Sequence, residues 1–130
     1  MAEPKTRPTD TDPEEFFEAF ADEQRRADAR VAAHLLEQVA GEPPVVWGTS
    51  ILGFGETVSG AAGTPWPVVA LAPRSKELVL YLHTALEDAE FEGLGPHRRG
   101  KGCLYLKRLD DVDLGVLRAI VTHSVELSTT

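Results

Sequence analysis

GPHRRGKGCLYLKRL, residues 95–109, is the stretch that decides between two folds. Gly95, four residues, then Gly100 and Lys101 follow the phosphate-loop pattern G-x-x-x-x-G-K-[ST], but Gly102 stands where a magnesium-holding hydroxyl is required. A phosphate loop also needs a strand before it and a helix after it, so that the positive helix end faces the phosphates. Here the order is reversed. Residues 84–95, TALEDAEFEGLG, read as a short helix leading in. Residues 103–107 lead out as a strand, with Leu104 and Leu106 on one side and Cys103, Tyr105 and Lys107 on the other. The stretch is therefore a basic turn feeding a strand, and the reading excludes a nucleotide-hydrolase loop.

Working outward, the same alternation recurs in residues 78–83, where Leu78, Leu80 and Leu82 share one face and Val79, Tyr81 and His83 the other. VVWG, ILGFG and WPVVALAP upstream are short, β-branched or aromatic, and separated by Gly, Pro and Ser. Connections this short favour antiparallel pairing over crossovers. Residues 56–64, ETVSGAAGT, read as a loop.

The flanks are helical. Asp12-Pro13-Glu14-Glu15 predicts a helix start with Asp12 as N-cap, and Asp22 marks a break that restarts the helix. Phe16, Phe17 and Phe20 form one apolar patch, and Ala27, Val31, Leu35 and Val39 recur at i+4 as a second. Gly41 and the pair Pro43-Pro44 end this region. At the other end Asp110 is expected to cap the last helix, with Asp113 three residues on and a staple between Leu109 and Leu114. Leu114, Leu117, Ile120, Val121 and Val125 supply its apolar stripe. The expected fold is α+β: an antiparallel sheet of about five strands, with N-terminal helices and a C-terminal helix on one face. Residues 1–11 are expected to be a disordered tail and residues 12–127 a single domain.

Composition narrows function. The chain has 130 residues, 42% apolar and 26% charged, enough for one core. The lone Cys103 excludes an internal disulfide, and together with the polar N-terminus it points to a reducing cytoplasm. No apolar run reaches the roughly 20 residues that span a bilayer. A net charge of −8 argues against nucleic-acid binding. The charge is polarised, however. Residues 1–44 hold eleven acids and five bases, net −6, whereas residues 96–108 hold five bases and no acid.

Each pole suggests a chemistry. Glycines around Arg98, Arg99 and Lys101 permit backbone N–H groups to surround an anion, with Arg74, Lys101 and Lys107 as the converging charges. A basic solvated turn is the simpler reading of the same letters. The acidic helix start offers hard oxygen ligands, although carboxylates at helix N-termini also serve stability alone. Cys103 reads as a small apolar residue or, with a lysine beside it, as a nucleophile. His34, His83, His97 and His123 are scattered without zinc spacing, and no nucleophile elbow is present. These observations describe a binding or carrier domain rather than an enzyme.

VVWGTSILGFG, ALAPRSKELVLYL and GKGCLYLKRLDDVDLGVL, in this order, resemble the YdhG-like family, a domain of unknown function. The similarity runs from about Asp12 to Val125 and departs after Gly55, where relatives tend to carry tyrosines and this chain has ETVSGAAG. The resemblance implies a frataxin-like fold and an intracellular iron chaperone as the role. The acids that would then carry iron are Glu14, Glu15, Glu18 and Asp22, with Asp12 and Glu23 beside them. The alternative expectation is a non-enzymatic module binding a small anion or an acidic partner through Arg74, Lys101 and Lys107.

Overall fold

A computed structural model describes residues 8–20, 22–48, 50–59, 64–74 and 76–129. Two helices begin where side-chain acceptors meet orphan amides. Asp12 Oδ1 accepts from the Glu14 amide at 2.9 Å and opens α1 (Pro13–Glu18). Asp22 Oδ1 accepts from the Arg25 amide at 2.8 Å and opens α2 (Glu23–Ala40), which closes at Gly41. The aromatic patch of α1 holds together edge to face, with Phe16 centred 5.6 Å from Phe17 and 5.3 Å from Phe20.

The strands are β1 (Pro44–Trp47), β2 (Ile51–Phe54), β3 (Thr57–Ser59), β4 (Thr64–Trp66), β5 (Val69–Pro73), β6 (Leu78–Tyr81), β7 (Arg98–Gly100) and β8 (Cys103–Leu106). Six of them form an antiparallel sheet in the order β1-β2-β5-β6-β8-β7, and β3 and β4 make a separate hairpin. The α+β class stands, with two corrections to the strand count. WPVVALAP is two strands, because Pro67 lacks an N–H and breaks the ladder between Trp66 and Val69. GPHRRG contains β7, which owes its extended form to pairing with β8 rather than to any apolar pattern. The Lys101-Gly102 turn between them is possible because Gly102 adopts φ 73. Residues 56–64, expected as a loop, contribute the hairpin, with residues 60–63 outside the described ones.

Short 3-10 turns span Asp88–Phe91 and Leu109–Asp111, and α3 (Leu114–Thr129) follows the second. The cap of α3 is Asp113, not Asp110: Asp113 Oδ1 accepts from the amides of Gly115 (2.9 Å) and Val116 (3.1 Å). Asp110 is used up inside the 3-10 turn. The staple positions are accordingly Val112 and Leu117, both buried, whereas Leu114 is 43% exposed.

The main core lies between the helices and one sheet face. Leu52, Leu71, Leu80 and Leu104 of the central strands meet α2 and α3. The stripe of α2 that meets them is Ala29, Ala32, Ala33, Leu35 and Leu36, with Val39 packed against it; Ala27 and Val31 of the expected ladder face solvent, Val31 at 48%. Alanines let the helix axis approach the sheet closely, and that geometry outranks side-chain hydrophobicity. Two buried charges bolt this layer to the sheet. Arg25 donates from Nε to the Arg74 carbonyl (3.1 Å) and from Nη1 to the Lys107 carbonyl (2.7 Å). Asp28 Oδ2 accepts from the Leu109 amide (3.1 Å) and Oδ1 from Gln24 (2.8 Å). Among the described residues no buried side-chain polar atom lacks a partner.

The chain joins the sheet before the expected boundary at Asp12. Pro8 bridges Trp47, and the Thr9 amide and hydroxyl both donate to the Val46 carbonyl at 2.8 Å. Residues 1–7 of the expected tail lie outside the described residues. Among the described residues no helix is long and apolar enough to cross a membrane.

Candidate ligand-binding groove on the second face of the sheet

The sheet face turned away from the helices is aromatic. Alternation places Trp47, Ala70, Ala72, Tyr81, Cys103 and Tyr105 there. Trp66 of the hairpin stands edge-on between Trp47 (6.4 Å) and Tyr81 (6.1 Å). Gly53 makes this possible: a Cβ there would lie 2.7 Å from both Pro67 Cβ and Trp47 Nε1. At the β7 side the face opens into a groove of about 460 Å³, lined by Glu77, Pro96, His97, Arg98, Tyr105, Lys107, Arg108 and Asp111. Three bases face two acids in it, so its local charge is opposite to that of the chain.

Each groove residue is set by its element. Arg98 of β7 pairs with Tyr105 of β8, and its guanidinium lies over the Tyr105 ring, 3.9 Å from the centroid. Its Nη2 donates to Glu77 Oε1 at 2.6 Å, a charge-assisted bond that raises the Arg98 pKa. The hydrogen bond between Tyr105 and Cys103 pushes the Tyr105 phenol above its ordinary value, with the charge of Arg98 pulling the other way. Tyr105 is neutral at physiological pH. Two residues beyond Tyr105, Lys107 emerges exposed, and it makes no ion pair among the described residues. Arg108 leans on Gln24 (3.2 Å) and Asp110 (3.4 Å). His97 Nδ1 donates to the Gly95 carbonyl (2.8 Å) while its ring stacks on Phe91.

Of the bases expected to converge, only Lys107 is here. Arg74, at the end of β5, donates from Nη2 to the Tyr81 hydroxyl at 2.8 Å and does not line the groove. Lys101 sits in the turn at the opposite end of β8; six residues at ~3.3 Å each put it roughly 20 Å of strand from Lys107. Arg98 and Arg99 diverge as well, because neighbours on a strand face opposite sides. Arg99 lies 3.9 Å over the Phe91 ring and pairs with Asp88. The cradle drawn from the glycine pattern is therefore not built, because β7 is a strand and not a wrapping loop.

Two of the four acids proposed for metal, Glu14 and Asp22, already have partners. Glu14 binds Arg30 through both oxygens (2.8 and 3.0 Å), which lowers the Glu14 pKa, and Arg30 also covers Phe17 at 4.7 Å. Asp22 caps α2, while Glu15 and Glu18 are exposed. Among the described residues no three His, Cys, Asp or Glu side chains are grouped so as to hold a metal ion.

Sequence reasoning placed Tyr105 and Lys107 on one face, but not Glu77, His97, Arg98 or Arg108 around them. The missing signal was β7 itself. Compared with protein-family models, curated proteins and solved structures, the chain finds no match in any of the three.

Proposed function

We propose that this chain is a binding module that takes a small anionic ligand in the groove between β7, β8 and the Leu109–Asp111 turn. The observation that carries the reading is Lys107. It is an unpaired cation beside a guanidinium already oriented by Glu77 and Tyr105, in a groove of ligand size. Arg25 and Asp28 fix the backbone on both sides of Arg108, so Lys107 and Arg108 are presented from a rigid support. Helices over one face of an antiparallel sheet are also the arrangement that the YdhG-like resemblance implies. Iron carriage through Glu14 would need it to leave Arg30, so the groove carries the proposal instead.

Titration calorimetry with inorganic phosphate and with citrate tests it. Binding is expected to weaken as salt rises, to fall sharply in Lys107→Ala and to persist in Lys101→Ala. Absence of both a binding heat and a rise in melting temperature at millimolar probe refutes the reading, as does equal loss in the two variants.

A further inference from the structure

Arg98 offers the groove more than charge. One face of its guanidinium lies on Tyr105 at 3.9 Å, and one edge is held by Glu77 at 2.6 Å. The side chain is nonetheless 62% exposed and lines the groove. What it leaves open is its second planar face, held flat and still by two contacts. A planar, weakly hydrated cation in this state stacks on π systems. The anion-holding groups stand to one side of it. Lys107 follows Tyr105 by two residues on the same side of β8, about 7 Å along the strand, and Arg108 joins it from the turn.

From this juxtaposition we infer that the groove selects a ligand carrying a planar heteroaromatic ring next to a phosphate, of the size of a mononucleotide. The ring stacks on the free face of Arg98, and the phosphate meets Lys107 and Arg108. The inference rests on the anion reading and adds the ring to it. It requires neither magnesium nor hydrolysis. The glycine turn at Gly100 to Gly102 takes no part, since Lys101 projects at the far end of β8.

The test compares adenosine monophosphate with ribose-5-phosphate by calorimetry on the full chain. Adenosine monophosphate is expected to bind on the order of tenfold more tightly, the scale of one stacked base. Arg98→Lys keeps the charge and a partner for Glu77 but removes the plane. It is expected to abolish that preference, read as the ratio of the two affinities within the variant, whatever the change in ribose-5-phosphate affinity itself. Tyr105→Leu, which removes the support under the guanidinium, is expected to act in the same direction. Equal affinity for the two probes in the parent protein overturns the inference and leaves the anion reading standing. So does a preference that survives Arg98→Lys. If neither probe binds, both readings fall.

Discussion

Asp113→Ala is the sharpest perturbation of the fold. One carboxylate oxygen serves the Gly115 and Val116 amides, at 2.9 and 3.1 Å, at the start of a 16-residue helix. Losing an N-cap of this kind costs about 1 kcal/mol, rising to about 2 when two amides lose their acceptor together. Unfolding entropy of roughly 2.1 cal/mol/K per residue gives about 0.27 kcal/mol/K for 130 residues. The melting temperature should then fall by about 4 to 7 °C. Asp113→Asn retains an acceptor and should recover most of the loss. Asp110→Ala is the control. Asp110 is exposed and receives one long contact, from Arg108 at 3.4 Å, so its removal should shift the midpoint by less than about 1 °C. Urea and thermal denaturation of the three variants, followed by far-UV circular dichroism, measure the series. If Asp110→Ala is as damaging as Asp113→Ala, the assignment of the cap is refuted.

The contact between His123 and Glu90, 2.5 Å, joins α3 to the Asp88–Phe91 turn. The hydrogen bond that His123 Nδ1 donates to Glu90 raises the His123 pKa above 6.5, so its stabilising effect is complete below that value and fades as pH rises through the raised pKa. Hydrogen bonds from the Glu87 amide and then from His123 lower Glu90 below 4.5, so its part is present above 4.5 and lost in acid. The stability difference between parent and His123→Ala, measured in urea, should therefore be largest from pH 4.5 to 6.5 and shrink above and below; a difference independent of pH would remove the pair. Gly53→Ala should destabilise by about 1 to 3 kcal/mol, because its Cβ has nowhere to go beneath Trp47 and Pro67. An unchanged denaturation midpoint would show that the tryptophan does not sit there.

The readable parts of this sequence were those where local pattern and tertiary demand coincide. β6 and β8 alternate cleanly, since their leucines all enter the same core, and Asp12 and Asp22 precede helices with nothing to compete for them. β7 was illegible because Arg98-Arg99-Gly100 has no apolar period and becomes a strand only through its partner. The α2 stripe misled for a related reason. Hydrophobicity favours Val31 over Ala29, but a helix pressed on a sheet favours the smaller side chain. Asp110 was expected to cap the last helix, but the 3-10 turn at Leu109–Asp111 delays the helix start and leaves that part to Asp113. The groove inherited these errors. Lys107 followed from the register of β8, whereas Arg98 required β7. The hold of Arg25 on the carbonyls at positions 74 and 107 spans 49 and 82 residues of sequence, beyond any local signal.

The two outermost strands of the main sheet bear on how these molecules behave in a crowd. A bare strand edge is a template on which neighbouring chains can zip up into growing ribbons. Here one border is partly occupied by the protein's own Pro8 and Thr9, which take up the Val46 carbonyl and end in a residue with no amide to offer. The other border, β7, is three residues long and carries two arginines on opposite sides. A second molecule approaching finds one border partly taken and the other short and flanked by bulky charged side chains, and both features disfavour strand-by-strand addition.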